Sequence, residues 1–171
     1  VAAGVQGEIQ AHGNWLFQGY FGAPEKTAEA FTADGWFKTG DIAVERPDGN
    51  WQIVGRMKEM YKSGGFNIYP REIEIALEAH PDVAMAAVLG VADPLYHETG
   101  HAFVQPQPGA ALSAEDCVSW CKDQLANYKV PKRFTIIDEL PRLANGKLDK
   151  MSLRKQVEAM TGSTLLGSHH K

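Results

Sequence analysis

The chain has 171 residues, of which 44% are hydrophobic, so it is long enough for one or two domains with a real core. Its formal net charge of −4 argues against a nucleic-acid binder that works by neutralising phosphates. There is no run of 18 apolar residues, and the N-terminus lacks a charged-then-apolar signal pattern. We therefore expect a soluble chain without a membrane span.

The two ends and the cysteines give further expectations. The sequence begins with Val1 in the middle of a pattern, so we expect an excised piece of a longer protein. Residues 163–171 are typical of an appended tag and are excluded from the fold. Cys117 and Cys121 lie four residues apart in a helical pattern, where local geometry rarely suits a disulfide. We expect reduced core thiols and a cytoplasmic protein.

The first third of the chain is punctuated by turn signals, which predicts short strands from Gly7 to about Val54. One brief helix is predicted at Ala23 to Phe31, because Pro24 and Glu25 favour a helix start. The pattern changes near Met57-Lys58-Glu59, so we place a domain boundary there. The prediction is a β-rich N-terminal domain remnant over residues 1–56 and a second domain over residues 57–162.

A hairpin is predicted around the turn Pro47-Asp48-Gly49-Asn50, since an Asp-Gly pair between strand-like segments is a strong hairpin signal. With Asp48 and Gly49 as a two-residue loop, a regular hairpin places Asp41 directly opposite Arg56, on the same face. A carboxylate beside a guanidinium can grip a polyhydroxylated ligand such as a ribose. A surface salt bridge between two strands is the alternative interpretation.

The rest of the chain predicts an α+β domain. A helix opens at Pro70 with apolar residues on one face and stops at His80-Pro81. Ser113 is the expected N-cap of a later helix, with Asp116 as its capping-box partner. The remaining predicted elements are strands at Val83–Val91, His101–Pro106 and Phe134–Ile137, and helices at Ser113–Leu125 and Met151–Met160. Together they predict a three-stranded sheet with packed helices and a hairpin.

Four segments in a fixed order carry a resemblance to a known family. They are Gly35-Trp36-Phe37-Lys38-Thr39-Gly40-Asp41 with Gly55-Arg56-Met57-Lys58-Glu59, then Ser63-Gly64-Gly65-Phe66-Asn67-Ile68-Tyr69-Pro70-Arg71-Glu72-Ile73-Glu74, then Tyr128-Lys129-Val130-Pro131, and Pro141-Arg142-Leu143-Ala144-Asn145-Gly146-Lys147-Leu148. In this order they resemble the adenylate-forming acyl-CoA synthetases, the superfamily that also holds luciferases and peptide-synthetase adenylation domains. The resemblance runs from about Gly7 to Arg154.

The resemblance implies an acid–thiol ligase that uses ATP and CoA and forms an acyl-adenylate before an acyl-CoA thioester. By the family pattern, Asp41 holds the ribose hydroxyls, Arg56 assists, and Lys147 reaches the α-phosphate during adenylation. Lys58 matches the hinge about which a mobile C-terminal lid domain rotates between the half-reactions. The other matches are secondary nucleotide contacts at Lys62 and Asn67, and the loop that meets the pantetheine arm of CoA at Ser63, Gly64 and Gly65.

The chain departs from the family pattern by what it does not contain. The phosphate loop, the Thr-Glu magnesium motif and the large domain with the acyl and adenine pockets are not in this sequence. The resemblance therefore implies that the partner of this chain is its own missing N-terminal domain, and that Mg²⁺ is bound by ligands outside it. We expect the 171-residue chain alone to neither adenylate nor thioesterify.

Two other functions stay open on the sequence alone. One is an adenylation domain that loads a carrier-protein thiol, although the Gly-Gly-Phe-Asn-Ile-Tyr-Pro form resembles fatty-acyl and aryl-acyl ligases more closely. The other is a stand-alone nucleotide-binding module without catalysis. A metal site at His97, Glu98 and His101 is considered and rejected, because Glu98 is a usual family position outside the chemistry.

Overall fold

The computed structural model describes residues 2–161, which divide into two compact units between Lys58 and Glu59. We call them the N-terminal unit and the C-terminal unit. Each unit contains its own sheet. The tail assigned to residues 163–171 lies outside the described residues. Within residues 2–161, no helix combines the length and apolar character that a membrane span needs.

The N-terminal unit is a three-stranded antiparallel sheet in the order β1-β2-β3. Its strands are β1 (Gly7–Ala11), β2 (Phe37–Glu45) and β3 (Trp51–Arg56). The helix α1 (Pro24–Ala30) begins with proline at its first turn, which suits the fixed φ of that residue. The predicted helix at Ala23 to Phe31 is thereby confirmed to within one residue at each end.

The turn between β2 and β3 differs from the prediction. The loop contains three residues, Pro47, Asp48 and Gly49, because the Arg46 N–H donates to the carbonyl of Asn50 at 2.8 Å and the Gly49 N–H donates to the carbonyl of Arg46 at 2.9 Å. Gly49 has a φ of +79°, which glycine adopts without steric cost. The prediction of a two-residue Asp48-Gly49 loop was wrong, since a type I turn with a following left-handed residue satisfies the same signal.

The predicted pairing of Asp41 with Arg56 is nevertheless confirmed. A bulge offsets the extra turn residue, because Ile42 pairs with the residue before Arg56 whereas Ala43 pairs with Ile53. Val54 is the extra residue on β3 and shifts the register by one. Two irregularities therefore compensate each other, and the two charged side chains still face one another.

The C-terminal unit is an α+β unit built on one five-stranded sheet. The central pair is the antiparallel hairpin of β6 and β7, and β8 runs parallel to β7 on its other side. The predicted three-stranded sheet is thus confirmed, with a small hairpin of β4 and β5 added through one bridge to β7. The elements are β4 (Tyr61–Ser63), β5 (Phe66–Ile68), α2 (Pro70–Glu78), β6 (Val83–Asp93), β7 (His97–Pro106), α3 (Ala114–Gln124), β8 (Arg133–Ile136) and α4 (Lys150–Thr161).

The sheet of the C-terminal unit is buried on both faces. One face packs against α2 and α3 through Ala86 and Val88, and the other packs against α4 through Ala87 and Leu89. A strand covered on both faces needs apolar residues at successive positions, which explains the nearly continuous apolar run of β6. The start of β7 was predicted at His101, but the strand begins at His97 because it pairs with β6 down to their shared turn.

The cap of α3 agrees with the sequence prediction. The Ser113 hydroxyl accepts from the Asp116 N–H at 3.1 Å, and the Asp116 carboxylate accepts from the Ser113 N–H at 3.0 Å. Cys117 and Cys121 are buried free thiols, as predicted. Burial raises their pKa values to about 11 and about 12, respectively, so both remain protonated at neutral pH.

Candidate functional site

Asp41 and Arg56 form a close ion pair in the N-terminal unit. The Nε of Arg56 lies 2.9 Å from Oδ1 of Asp41, and the two side chains are 54% and 25% exposed, respectively. A pair this exposed contributes only about 0–1 kcal/mol to stability. The pair therefore leaves a carboxylate oxygen and guanidinium N–H groups accessible for hydrogen bonds to a ligand.

The segment before Asp41 is held from β1. The Thr39 hydroxyl donates to the carbonyl of Ile9 at 2.7 Å and accepts from the Asp41 N–H at 3.1 Å. The Gly40 N–H donates to the Glu8 carboxylate at 3.0 Å. Gly40 has a φ of +73°, a conformation that disfavours residues with a Cβ. The Thr39-Gly40-Asp41 sequence thus has a local structural role, because its hydrogen bonds fix the backbone of Asp41 relative to β1.

Five of the predicted site residues lie together on the β4–β5 hairpin of the C-terminal unit. Lys62 pairs directly with Asn67, and both are exposed. Gly64 and Gly65 form the two-residue loop with φ values of +56° and +87°. A type I′ hairpin turn requires positive φ at both positions, which explains the glycine pair. Ser63, before the loop, is buried at 8% exposure.

This hairpin is attached to the start of β7. The Lys62 N–H donates to the Glu98 carboxylate at 3.0 Å, and the Gly64 N–H donates to the carbonyl of Tyr96 at 3.0 Å. Ser63 pairs with His97, whose φ of +74° is the one positive value outside glycine in the described part of the chain. These contacts fix the Gly64-Gly65 loop relative to the sheet.

Glu98 and His101, two residues of the rejected metal site, each have a hydrogen-bond partner in the protein. Glu98 accepts from the Lys62 N–H, as described above. The Nε2 of His101 lies 2.9 Å from the Thr135 hydroxyl, and its ring stacks on Phe103 with centroids 4.6 Å apart. Burial, with a smaller effect from the charge of Arg133, lowers the pKa of His101 to about 4. Within residues 2–161, no group of three His, Cys, Asp or Glu side chains has the arrangement of a metal site.

Lys147 lies on an exposed turn of the C-terminal unit. The Leu143 N–H donates to the carbonyl of Lys147 at 2.7 Å, and the Gly146 N–H donates back to the carbonyl of Leu143 at 2.8 Å. Gly146 has a φ of +79°, and the side chain of Asn145 accepts from the Lys147 N–H at 3.1 Å. Backbone hydrogen bonds hold the turn closed without using the side chain of Lys147. Lys147 is exposed to solvent.

Lys58 lies in the middle of a single 3-10 turn, Met57–Glu59, and its residue is exposed. It is the last residue of the N-terminal unit. A short helical turn at a unit boundary can absorb a change in φ and ψ without breaking a long ladder of hydrogen bonds. Its predicted role as a hinge stays a prediction.

One charged cluster was missed by the sequence analysis. The ammonium group of Lys150 lies 2.6 Å from the Glu59 carboxylate and 2.9 Å from the Glu74 carboxylate. A signal was present, because a cation at the first residue of a helix opposes the helix dipole and needs anionic partners. The identity of those partners was not visible, since they are 91 and 76 residues away.

Comparisons with known proteins agree with this architecture. Residues 72–147 match the model of the AMP-binding enzyme C-terminal domain. This stretch belongs to that family. It runs from the first turn of α2 to Lys147 itself, so the strands β6, β7 and β8, the helix α3, most of α2 and the exposed turn lie within the matched residues, whereas the β4–β5 hairpin precedes them. The resemblance found from the motifs is therefore confirmed.

The relatives of this chain are considerably longer than the chain itself. It is 45% identical over 156 residues to a 3-[(3aS,4S,7aS)-7a-methyl-1,5-dioxo-octahydro-1H-inden-4-yl]propanoyl:CoA ligase of Rhodococcus jostii, covering 91% of this chain and 30% of the relative. It is 42% identical to a feruloyl-CoA synthase of an Amycolatopsis species, covering 91% and 32%, respectively. The structure of ATP-bound MatB from Rhodopseudomonas palustris matches with a TM-score of 0.85 and 36% identity, covering 94% and 32%. The chain thus spans less than a third of the length of these three proteins.

Proposed function

We propose that this chain is the C-terminal part of an ATP-dependent, AMP-forming acid–thiol ligase that makes an acyl-CoA from a carboxylic acid. The observation that carries the proposal is the position of Lys147, an exposed lysine on a tight turn at the end of the matched domain. The names of the relatives, which are CoA ligases and synthases, support the reaction class.

In the first half-reaction, a carboxylate oxygen of the substrate attacks the α-phosphorus of ATP, and pyrophosphate leaves. Negative charge spreads over the non-bridging oxygens, and we assign the ammonium group of Lys147 to stabilise it. Loss of one such contact costs about 10²–10³ in rate, or roughly 3–4 kcal/mol. Asp41 accepts hydrogen bonds from the ribose hydroxyls, and Arg56 donates to the same nucleotide. Lys62 and Asn67, a cross-strand pair, supply secondary nucleotide contacts.

In the second half-reaction, the CoA sulfur attacks the acyl carbonyl, its proton is released, and AMP leaves. We propose that the C-terminal unit turns about Lys58 to exchange Lys147 for the Ser63-Gly64-Gly65 segment. The two glycines leave the loop without side chains, so backbone and pantetheine can approach closely. Residues 1–56 belong in this proposal to the large N-terminal domain, and the residues after them form the mobile lid.

The wider setting comes from the same proposal. The missing N-terminal domain is the partner of this chain and carries the acyl pocket and the ligands of the Mg²⁺ that accompanies ATP. The free thiols of Cys117 and Cys121 support a reducing compartment such as the cytoplasm. Activation of fatty or aryl acids is the metabolic role we propose.

The decisive experiment measures the two half-reactions of the full-length ligase separately. Lys147→Ala should lower acyl-adenylate formation by about 10²–10³ while sparing thioester formation from supplied acyl-adenylate. Lys58→Pro should do the reverse by fixing φ at the hinge. Asn50→Ala is the matched control, since Asn50 occupies the equivalent place on another turn. Equal damage to both half-reactions by each lysine variant would refute a rotating lid.

The 171-residue chain by itself provides a second test. It contains no phosphate loop, so it should release no pyrophosphate from ATP in the presence of any carboxylic acid. Turnover by this chain alone would contradict the assignment of the missing domain as an obligatory partner.

A further inference from the structure

Lys150 occupies an unusual position for a lysine. Its side chain is 23% exposed, and its ammonium group bridges two carboxylates, those of Glu59 and Glu74. Glu74 is 4% exposed and also accepts from the Val88 N–H at 3.1 Å, so the same oxygen joins α2, β6 and α4. Burial acts to lower the pKa of Lys150, but the attraction of Glu74 and Glu59 outweighs it and raises the pKa.

The bridge connects three segments that are distant in sequence. Glu59 is the first residue of the C-terminal unit and comes directly after Lys58. Glu74 lies on α2, and Lys150 is the first residue of α4. The ammonium group is thus the point at which the start of the unit is tied to two of its helices.

The path from Lys150 back to Lys147 has little freedom. Leu148 pairs with Arg142, and the Asp149 N–H donates to the carbonyl of Pro141 at 2.8 Å. The Asp149 carboxylate in turn accepts from the backbone and hydroxyl of Ser152 at 3.1 Å and 2.6 Å, which caps α4. Three consecutive residues before and at the helix start are therefore fixed, so a displacement of Lys150 is passed on to Lys147.

We propose that Lys150 is a positioning residue that holds the Lys147 turn in a fixed place relative to Glu59, where the C-terminal unit begins. The proposal rests on the proposed function, in which Lys147 serves adenylation and the adjacent Lys58 is the hinge. When the unit rotates at the hinge, the Lys147 turn then moves together with Glu59 as one rigid body. Without the bridge, the start of the unit and the turn move independently, and the ammonium group no longer meets the α-phosphate reliably.

The test uses Glu59→Gln, because Lys150→Met would leave the buried Glu74 carboxylate with the guanidinium of the exposed Arg71, 3.5 Å away, as its remaining cationic partner and could unfold the unit. Glu59→Gln removes the negative charge at the start of the unit, so it weakens this link while the ion pair of Lys150 with Glu74 stays intact. In the full-length ligase, it should lower adenylation by about ten- to hundredfold, the loss expected when a catalytic group is displaced by about 1 Å. Thioester formation from supplied acyl-adenylate should change by less than about threefold.

Glu72→Gln is the matched control. Glu72 forms an ion pair with Lys129, and its side chain is 30% exposed, against 31% for Glu59. The control should leave both half-reactions unchanged, because this pair joins neither the start of the unit nor the Lys147 turn. A loss of adenylation in Glu72→Gln as large as that in Glu59→Gln would reduce the effect to general stability and overturn the proposal.

Hydrogen exchange on the 171-residue chain gives a readout independent of activity. Glu59→Gln should raise exchange at the bonded amides of Leu143, Gly146 and Asp149 by about tenfold, while Glu72→Gln should not. Unchanged exchange at these amides would overturn the proposed coupling. If Lys147→Ala slows adenylation but Glu59→Gln does not, only the positioning role is wrong. If Lys147→Ala has no effect, the proposed function itself fails.

Discussion

Two turns of this protein have nearly the same backbone and different surroundings. The first turn, residues 46–50, and the second turn, residues 143–147, each close through an N–H from their first residue to the carbonyl of their last, at 2.8 Å and 2.7 Å. Gly49 and Gly146 both have a φ of +79°. In each turn an Asp or Asn side chain, that of Asp48 or Asn145, accepts from the N–H two residues later.

The two turns differ in the residues that come after the glycine. The first turn continues through Asn50 into β3 and only joins two strands. The second turn presents Lys147 and continues into the helix that starts at Lys150, whose ammonium group is bound to two distant carboxylates. A turn geometry therefore carries no function by itself. In the mechanism proposed above, the function of the second turn depends on the side chain of Lys147 and on the ion pairs of Lys150.

The largest expected effect is a difference in acid stability between the two units that carry these turns. The C-terminal unit should lose stability in acid because of His101. The folded-state pKa of His101, about 4, lies below its ordinary 6.5, so the unfolded chain takes up the proton first. The contribution of His101 is complete above pH 6.5 and is lost as the pH falls towards 4. The C-terminal unit should lose up to about 3 kcal/mol across this window.

Hydrogen exchange of the β6 and β7 amides in the 171-residue chain measures this loss. His101→Gln should remove the part of the difference between pH 6.5 and 4 that His101 contributes, since glutamine does not titrate. His12→Gln, a change at an exposed histidine of the N-terminal unit, serves as the control. A parent protein whose β6 and β7 protection is the same at both pH values would refute the prediction.

Equivalent glycine substitutions test whether the two turns are alike. An added Cβ would meet no atom within 4 Å at either Gly49 or Gly146, so the cost comes from the left-handed backbone alone. Gly49→Ala and Gly146→Ala should each lower the free energy of unfolding of their unit by about 1–2 kcal/mol. Urea titration of each variant measures this value.

The same two variants should differ in the full-length ligase. Gly146→Ala is expected to slow adenylation, because it disturbs the turn that displays Lys147, whereas Gly49→Ala is expected to leave the rate unchanged. Stability losses that differ by more than about 1 kcal/mol between the two glycines would show that the turns are not equivalent in energy.

The smallest effect is expected from transplanting the first turn onto the second. The double change Ala144→Pro and Asn145→Asp converts Ala-Asn-Gly into the Pro-Asp-Gly of the first turn. Proline suits the second position of a type I turn, so stability should change by less than about 1 kcal/mol. Adenylation should be retained, since Lys147 keeps its place. Loss of activity with an intact fold would mean that the sequence of this turn, beyond its shape, contributes to the chemistry.

Local signals predicted most helices and strands. They also predicted the pairing of Asp41 with Arg56, but from an assumed hairpin geometry that the structure does not have. The Asp-Gly pair correctly indicated a hairpin, but its loop is one residue longer than predicted, and the bulge at Val54 restores the register. Loop length and bulge position depend on how the strands twist and pack, which an isolated dipeptide does not encode. The prediction was right because two deviations cancelled.

The sequence by itself determined those features whose causes lie within a few residues. These include the capping box of Ser113 and Asp116, the two glycines of the 64–65 loop, and the apolar run of β6 that requires cover on both faces. Motif order was also sufficient to identify the family. In the capping box and the glycine loop, the interacting groups are neighbours along the chain, so their spacing already fixes their geometry.

Only the tertiary structure decided which distant groups meet. Lys150 finds Glu59 and Glu74 across 91 and 76 residues, and the Glu98 carboxylate on β7 accepts from the Lys62 amide across 36 residues. No periodicity links such positions, because their distance depends on the packing of helices and strands between them. The ion pairs of Lys150 with Glu59 and Glu74 therefore depend on the folding of the whole C-terminal unit. The turn that carries Lys147 depends on the local sequence.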